Sequence, residues 1–282
     1  MSTSSIDLRS ILDDWPRWNI TTSRPDVSQF EKIPAGLTNQ NYILHLEHGR
    51  YVIRFDALNS DELDINRDAE YHIHQMVVEA GLVSPVIYRH PTTPRYWIRQ
   101  YMAGQPLSAE ALNQTQLNQI ISVLKTLHQI QPDYPLPTLS LVDKAQQYID
   151  IIHQSSEVSP ALEEAFNRLL LILKAAPDQT PCLCHMDAML SNWISTEQGL
   201  QLMDWEYAGL GHPLWDLATV SIDAQLNKQQ QQYMLQQYYV NKPWSQDGWQ
   251  LAKQQISGLA ALWYGAQGLW PLEKVSDELT AL

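Results

Sequence analysis

The sequence has few cysteines, few basic residues and no long apolar run, and each shortage excludes a class of protein. Its only cysteines are Cys182 and Cys184, which excludes a disulfide framework and predicts a reducing, cytoplasmic location. It has 18 Lys and Arg against 31 Asp and Glu, so neither nucleic acid nor an anionic membrane is expected as a partner. No stretch approaches the ~18 apolar residues of a membrane span, and Met1–Ser10 carries no apolar run.

Phenylalanine is also scarce, with three residues, whereas the chain has ten Trp and thirteen Tyr. Trp and Tyr combine an apolar face with a polar group, and their rings bind cations. Most of them are expected in the core or in interfaces. The net charge of −13 is nevertheless compatible with a cationic substrate, because an acidic cleft raises the local concentration of cations.

The chain up to about residue 103 has the pattern of a small, strand-rich lobe. Two alternating strands flank a Glu-His-Gly turn and predict a hairpin, and the helical pattern that follows ends at Gly81. Two more short strands precede a joint expected near Ala103–Pro106. The predicted elements are strands at 42–46 and 51–55, a helix at 64–80, and strands at 85–88 and 96–102.

The rest of the chain is mostly helical, since its apolar residues recur at spacings of three and four. A short β-hairpin, Asn192–Asp204, interrupts these helices. We therefore predict an α+β fold with a small antiparallel β lobe at residues 1–103, a larger, mostly helical lobe at residues 104–282, and a ligand-binding cleft between them. The predicted helices span 107–129, 142–155, 160–175, 215–240 and 249–270.

The strongest chemical signal is a carboxylate, Asp187, followed by the amide Asn192, a hairpin and a second carboxylate, Asp204. Because the hairpin folds back on itself, Asn192 and Asp204 are expected to meet at its open end. An amide oxygen and a carboxylate form a hard-oxygen pair suited to Mg²⁺, which keeps waters and phosphate oxygens as its other ligands. Asp187 is then available to accept a hydrogen bond from an attacking hydroxyl.

This region resembles the catalytic core of the aminoglycoside phosphotransferase/choline kinase superfamily, and most of all its choline kinase and thiamine kinase branch. The resemblance rests on His-x-Asp-x₄-Asn from His185, on Asp-Trp-Glu-Tyr-Ala from Asp204, and on the run Gly211–Ala218. It implies a protein-kinase-like two-lobed fold, ATP as the phosphate donor with Mg²⁺, Asp187 as the catalytic carboxylate and a small alcohol as the acceptor. Within the catalytic motif, His185 is expected to support the loop by hydrogen bonding, as is Asp216.

The resemblance extends into the first lobe and implies a set of nucleotide-binding residues. Arg54 stands where protein kinases have the lysine that contacts the α- and β-phosphates, and Glu70 would hold it by an ion pair. Residues 35–42 resemble the loop that covers the phosphates, and residues 100–102 fall where the hinge of the family binds adenine. The implied loop and hinge residues are Gly36, Thr38, Asn39, Asn41, Gln100 and Met102.

The sequence departs from the protein-kinase pattern at two positions. Its phosphate loop has one glycine, Gly36, where protein kinases have three. Met189 stands where protein kinases have a lysine two residues after the catalytic aspartate, which argues against protein substrates. Cys182 and Cys184 could suggest a metal site, but a tetrahedral site needs a fourth ligand and better spacing, so we interpret them as buried strand residues.

The acceptor is expected to be a cation, because choline and thiamine both carry a permanent positive charge and a primary hydroxyl. In choline kinases a Trp-rich helix near the C-terminus helps to wall the cation site, so Trp263 and Tyr264 are candidate substrate residues, and Glu206 is a candidate carboxylate. Three hypotheses remain: a kinase for choline, ethanolamine or thiamine; a sugar or aminoglycoside kinase of the same fold; and a catalytically inactive nucleotide-binding protein. The intact catalytic motif argues against the last.

Overall fold

A computed structural model of the protein describes residues 7–34, 39–57, 65–90, 92, 95–136, 138–175, 180–240 and 243–282. The chain divides into two compact units. The β unit comprises Met1–Ile65 and Val83–Gly104, and the helical unit comprises Asn66–Leu82 and Gln105–Leu282. The helix after Asn66 thus groups with the helical unit, and the lobe boundary expected at residues 103 and 104 stays a prediction.

The β unit is built around one antiparallel sheet. Its elements are the short helix α1 (Trp15–Trp18) and the strands β1 (Phe30–Ile33), β2 (Gln40–Leu46), β3 (Gly49–Phe55), β4 (Val86–His90) and β5 (Tyr96–Gln100). The strand order is β1-β2-β3-β5-β4. The predicted hairpin is confirmed as β2 and β3, and the two further predicted strands are confirmed as β4 and β5. Leu44, Ile53 and Ile98 from adjacent strands are fully buried, so one face of the sheet carries the core.

Helices make up most of the helical unit. They are α2 (Arg67–Glu79), α3 (Gln114–Leu127), α4 (Leu141–Ser155), α5 (Pro160–Lys174), α6 (Pro213–Asp223), α7 (Lys228–Tyr238), α8 (Gln246–Ala266) and α9 (Leu272–Thr280). The remaining strands are β6 (Gly104–Pro106), β7 (Cys182–Cys184), β8 (Trp193–Thr196), β9 (Gly199–Leu202) and β10 (Gly209–Gly211). One small sheet has the order β6-β8-β9, in which β8 and β9 confirm the predicted hairpin, and the other pairs β7 with β10.

The first predicted helix of this unit is wrong at its start, because α3 begins at Gln114 and not at residue 107. The Asn113 side chain accepts a hydrogen bond from the Gln116 backbone, and the Gln116 side chain accepts one from the Asn113 backbone. This capping box fixes the start of the helix. Upstream, the Leu107 N–H donates to the Trp193 carbonyl (2.9 Å), which holds the segment against β8.

The prediction of one helix over residues 215–240 is also wrong, because α6 and α7 are separate. Gln225 has φ 50°, a left-handed conformation that ends a helix. Asn227 then caps α7 and forms a capping box with Gln230. The apolar spacing continues across the break, so periodicity alone does not reveal it.

The predicted helices at 64–80, 142–155, 160–175 and 249–270 are confirmed as α2, α4, α5 and α8, with small differences at their ends. α8 stops at Ala266 because Gly268 has φ 67° and Pro271 follows. The sequence pattern does not predict α9. Among the described residues, no helix is long and apolar enough to cross a membrane.

The helix α6 is almost completely buried, and hydrogen bonds hold both its N-terminus and its side chains. His212 caps its N-terminus by accepting from the Leu214 N–H (3.2 Å), and the run Pro213–Ser221 is buried throughout. The Trp215 indole donates to the Gln255 side chain of α8 (2.8 Å). A helix enclosed in this way holds its side chains in defined positions.

Candidate active site

The catalytic loop, which we define as residues 185–192, begins at a buried histidine. The His185 ring donates its Nε2–H to the Met203 carbonyl (2.9 Å) and accepts at Nδ1 from the Asp187 N–H (3.2 Å). Burial lowers the pKa of His185 to about 4, so the ring is neutral at pH 7, as these two bonds require. Both ring nitrogens are thus engaged within the loop and its neighbouring strand, and the part of His185 in supporting catalysis stays a prediction.

Asp216 of α6 anchors the start of this loop. Its carboxylate accepts from the His185 N–H (2.8 Å), from the Met186 N–H (2.7 Å) and from Nε2 of His128 (3.0 Å). Burial alone would raise the pKa of Asp216, but these donors, with His128 the largest, hold it below its usual value. The group is therefore an ionised, fully hydrogen-bonded carboxylate in the interior.

The same helix holds the far part of the loop. Asp223 lies about two helical turns beyond Asp216, and it accepts from the Leu190 N–H (2.6 Å). Side chains seven residues apart share one helix face. One face of α6 thus fixes the catalytic loop at both of its ends.

Asp187 and Asn192 form a tightly bonded pair within the loop. The Asn192 amide donates to the Asp187 carboxylate (2.8 Å) and to the Asp187 carbonyl (2.8 Å). Burial raises the pKa of Asp187 to about 6, and nearby carboxylates add to the effect of burial while the Asn192 bond opposes it. Asp187 is therefore a stronger base than an exposed aspartate, in a fixed orientation.

Asn192 and Asp204 flank the same end of the β8–β9 hairpin, as the sequence predicts. The Met203 N–H donates to the Asn192 carbonyl (2.8 Å), next to the cross-strand pair Trp193 and Leu202. Since the Asn192 amide hydrogens both point to Asp187, its side-chain oxygen is the atom that remains to coordinate a cation. An amide oxygen and a carboxylate are the hard donors that Mg²⁺ prefers, so this pair fits the predicted metal.

The backbone is strained at two positions of this site. Met186 has φ 67° and Asp204 has φ 65°, whereas residues other than glycine rarely have positive φ. Such conformations persist only where surrounding contacts enforce them, and they are concentrated at functional sites. Met186 adjoins Asp187, the predicted catalytic carboxylate, and Asp204 is one of the two predicted metal ligands.

Glu206 belongs to a buried charge triad. The Arg67 guanidinium donates to the Glu70 carboxylate (2.9 Å) and to the Glu206 carboxylate (3.1 Å). All three side chains are almost completely buried. Arg67 offsets part of the charge of Glu206, so the use of Glu206 by a cationic substrate stays a prediction.

Aromatic side chains of the helical unit lie within electrostatic reach of Asp187. Burial raises the pKa of Tyr264, and the charges of Asp187 and Asp223 add to that increase. Burial likewise raises the pKa of Tyr207, with Asp187 among the contributing charges and the Trp263 side chain opposing them. The Tyr207 hydroxyl and the Trp263 indole nitrogen are both buried, and the two side chains interact with each other.

These aromatic rings also contact one another. Trp263 meets Tyr264 edge to face, with centroids 5.1 Å apart. Trp270 stacks on Tyr264, with centroids 4.5 Å apart and planes 12° from parallel. The stacking holds the Tyr264 ring in place although its residue lies near the end of α8.

Arg54 and Asn41, both predicted nucleotide-binding residues, lie on adjacent strands of the β unit. Arg54 pairs in register with Asn41 on one side and with Trp97 on the other, so all three share one face of the sheet. The Arg54 guanidinium lies 4.4 Å from the Trp97 ring centroid and contacts the Asp56 carboxylate at 3.0 Å. Arg54 is therefore a positioned, largely buried cation, unlike a mobile surface arginine.

Three further residues predicted to bind the nucleotide, Asn39, Gln100 and Met102, lie among the described residues. The buried Asn39 side chain accepts from the Ala57 N–H (3.3 Å), which ties the start of β2 to the end of β3. Gln100 is exposed at the end of β5, and the Met102 sulfur accepts from the Ser84 hydroxyl (3.4 Å).

The structure does not test two of the predictions for the nucleotide site, the phosphate-covering loop and the ion pair of Arg54 with Glu70. Gly36 and Thr38 lie outside the described residues, so the phosphate-covering loop stays a prediction. Arg54 and Glu70 belong to different units, and their ion pair also stays a prediction.

Sequence reasoning did not find several residues that shape the site. Asp223 and Tyr207 interact with the catalytic loop or with Asp187, whereas Arg67 and His128 bond to Glu206 and Asp216. The spacing of Asp216 and Asp223 on one helix face could have indicated the second anchor. No sequence pattern indicates the roles of Arg67 and His128, because their partners Glu206 and Asp216 lie far away in the sequence.

We expect the substitution Asp216→Ala to reduce the free energy of unfolding by about 3–5 kcal/mol, because it leaves buried donors without an acceptor. Urea denaturation followed by tryptophan fluorescence measures this loss. The control is Asp150→Ala, where an exposed carboxylate accepts a hydrogen bond from Gln146 on the same helix. That change should remain within about 0.5 kcal/mol of wild type. Equal stability of the two variants would contradict the anchoring role.

The sequence matches the model of the phosphotransferase enzyme family over residues 29–248. It is 26% identical over 209 residues to Protein LicA of Haemophilus influenzae, covering 72% of this chain and 61% of that protein. The chain thus spans about three fifths of the length of that relative. It is 24% identical over 211 residues to thiamine kinase of Escherichia coli O157:H7, covering 72% of this chain and 69% of that one.

The fold is similar to that of choline kinase LicA from Streptococcus pneumoniae, with a TM-score of 0.79 at 20% identity over 97% of this chain and 99% of that one. The TM-score to a structure of LicA in complex with AMP is 0.76, at 20% identity over 97% of this chain and 98% of that one. These similarities confirm the predicted protein-kinase-like α+β fold. The family match covers more than half of the chain and confirms the resemblance seen in the catalytic motif. The chain therefore belongs to the phosphotransferase enzyme family, with relatives in the choline kinase and thiamine kinase branch of the aminoglycoside phosphotransferase/choline kinase superfamily.

Proposed function

We propose that this phosphotransferase is an ATP- and Mg²⁺-dependent kinase that phosphorylates the hydroxyl group of a small cationic alcohol such as choline, ethanolamine or thiamine. The observation that carries the proposal is the pair of hydrogen bonds from Asn192 to Asp187. They fix a carboxylate of raised pKa beside an amide oxygen suited to a metal. A sequence relationship to LicA and to thiamine kinase supports the same chemistry.

In this proposal Asp187 accepts a hydrogen bond from the acceptor hydroxyl and orients it toward the γ-phosphate. Phosphoryl transfer has a loose transition state, so catalysis depends mainly on positioning and on charge stabilisation. The Asn192 amide holds the carboxylate, and Asp216 holds the backbone on which it stands. Asp187 can then take up the hydroxyl proton as the new O–P bond forms and the bond from the γ-phosphorus to the bridging oxygen of ATP breaks, which releases ADP.

The side-chain oxygens of Asn192 and Asp204 would hold Mg²⁺, which neutralises charge on the phosphates when it is bound. Arg54 would contact the α- and β-phosphates, and its contact with Trp97 and Asp56 keeps the guanidinium in place. The AMP complex of the structural relative LicA supports nucleotide binding in this family. Residues 100–102 are the proposed adenine contact.

Two features support a cationic acceptor. Tyr264 lies on α8 within electrostatic reach of Asp187, Trp263 packs against it, and aromatic faces bind quaternary cations. The Asp187 and Asp223 carboxylates make the surroundings of Tyr264 acidic.

The first test concerns the catalytic carboxylate. Asp187→Asn should lower kcat at least about 100-fold while the Kd for ATP changes little, because general-base and orienting effects contribute ~10²–10⁴. Steady-state ADP release and equilibrium nucleotide binding measure the two quantities. Asp150→Asn, at an exposed site on α4, is the matched control. Near wild-type turnover in Asp187→Asn would remove Asp187 from the mechanism.

The second test concerns the metal. Asp204→Asn and Asn192→Ala should each raise the Mg²⁺ concentration needed for half-maximal rate, since each weakens or removes one hard-oxygen ligand. Asp187→Asn should lower the rate without a comparable change in that concentration. Turnover that persists in excess chelator would contradict the assignment of Asn192 and Asp204.

The third test identifies the acceptor by ADP release with choline, ethanolamine, thiamine, amino sugars and aminoglycosides. A cation stacked on a desolvated ring gains ~2 kcal/mol, so choline or thiamine should have a much lower KM than an uncharged alcohol of the same shape. Trp263→Leu and Tyr264→Leu should raise that KM and leave the KM for ATP unchanged. Tyr233→Leu, the same change on α7 where the hydroxyl donates to Asn118, is the control. A neutral sugar that outperforms every cation would favour a sugar kinase.

A further inference from the structure

Three side chains able to bind a metal ion meet at the base of the catalytic loop, apart from the residues assigned to phosphate transfer. They are Cys182 and Cys184 of β7 and His128 at the C-terminal end of α3. One ligand atom from each lies within 4.8 Å of the other two. Both thiols are free. We call these three residues the thiol–imidazole cluster.

The separation of the two sulfur atoms matches a shared metal ion. Side chains two residues apart on a strand point to the same face, and the two Sγ atoms lie 3.7 Å apart. A disulfide needs about 2.05 Å. Two thiolates that each bind a tetrahedral zinc ion at about 2.3 Å lie about 3.8 Å apart. The pair therefore has the spacing for metal binding without movement of β7.

His128 contributes an imidazole whose second nitrogen is already supported. Its Nε2 bonds to the buried Asp216 carboxylate (3.0 Å), and its Nδ1 lies 2.7 Å from the Tyr238 hydroxyl. Metal-binding histidines almost always donate the other ring N–H to a carboxylate, a carbonyl or water, which fixes the ring. With Nε2–H donated to Asp216, Nδ1 carries the lone pair that can bind a metal, and the Tyr238 hydroxyl that donates to Nδ1 has to turn away when a metal binds.

Three protein ligands leave one position of a tetrahedral ion to be filled. Tyr238 lies beside the cluster, with its hydroxyl 2.7 Å from Nδ1 of His128. Zinc held by three protein ligands takes water as its fourth ligand. Two sulfur atoms, one nitrogen and one water molecule thus give the number of ligands that zinc takes.

A cavity of about 720 Å³ borders the cluster. Cys182 is half-buried, whereas Cys184 is fully buried. An ion can therefore reach the thiols from solvent without unfolding of the helical unit. The lining includes Lys125, His128, Cys182, Pro213, Tyr238 and Tyr239.

We propose that the thiol–imidazole cluster binds one thiophilic divalent metal ion of the zinc class. Thiolate and imidazole ligands select such ions, whereas the oxygen pair of Asn192 and Asp204 suits Mg²⁺, so the two sites take different metals. Asp216 bonds both to His128 and to the start of the catalytic loop. An ion at the cluster therefore restrains the loop through Asp216.

Cobalt(II) is the probe, because thiolate ligands give it a charge-transfer absorption in the near ultraviolet. The chain has two cysteines in all, so this absorption reports the cluster alone. Titration of the reduced, chelator-washed full-length chain with cobalt chloride should saturate at one ion per chain. Zinc chloride should then remove the absorption by displacing cobalt.

Cys182→Ala should weaken zinc binding by at least about 10-fold, since even residues outside the ligand shell contribute 10–100-fold. His128→Gln should do the same. The matched control His153→Gln replaces an exposed histidine that bonds to Glu163, and it should bind cobalt as wild type does. Asp204→Asn should also leave the cobalt absorption unchanged. Circular dichroism verifies that each variant folds.

Two results would overturn the proposal. One is the absence of a charge-transfer absorption in the wild-type chain at millimolar cobalt. The other is equal zinc affinity in folded Cys182→Ala and in wild type, which would place the ion elsewhere. Neither result bears on phosphate transfer, because ADP release with Mg²⁺ is measured separately.

Discussion

The geometry of the catalytic loop depends on the buried carboxylate of Asp216. An ionised carboxylate in the interior is unfavourable unless hydrogen bonds replace its water, and here the His185 and Met186 N–H groups and the His128 ring do so. His185 continues the connection to the Met203 carbonyl, next to Asp204. A continuous set of hydrogen bonds thus runs from α6 through the loop to the proposed metal ligands.

Negative charge accumulates around this loop. Burial raises the pKa of Asp187, and the carboxylates of Glu206, Asp223 and Asp216 add to that increase, while Arg67 forms an ion pair with Glu206. Such surroundings are unfavourable for a bare triphosphate and favourable for cations. A kinase with this site would depend on Mg²⁺ to bring the nucleotide phosphates close, and the same field would favour a positively charged acceptor.

The sequence predicts the parts of the molecule whose determinants are local. Alternating residues around a turn predict the hairpin of β2 and β3, and the spacing of Asp187, Asn192 and Asp204 predicts a site at the open end of β8 and β9. The break between α6 and α7 was missed because it depends on one left-handed residue, Gln225, within a continuous apolar pattern.

Sequence patterns also do not predict contacts between segments that are far apart in the chain. The bond of Arg67 to Glu206 and the approach of His128 to Cys182 join parts of the chain that no local pattern connects. His185 is the histidine nearest to Cys182 in the sequence, but its ring bonds to the Met203 carbonyl. The histidine that lies beside Cys182 in space is His128, more than fifty residues away in the sequence. Charge compensation and ligand sets of this kind are properties of tertiary packing.

The left-handed backbone at Asp204 has a consequence for how variation at this position is tolerated. Glycine adopts positive φ without the steric penalty that an aspartate incurs, so folding alone would favour glycine there. The chain instead carries a carboxylate, at a penalty of about 1–2 kcal/mol. At position 204, thermostability favours glycine, whereas the proposed Mg²⁺ binding requires a carboxylate. Selection of variants for heat resistance alone would therefore tend to remove this carboxylate.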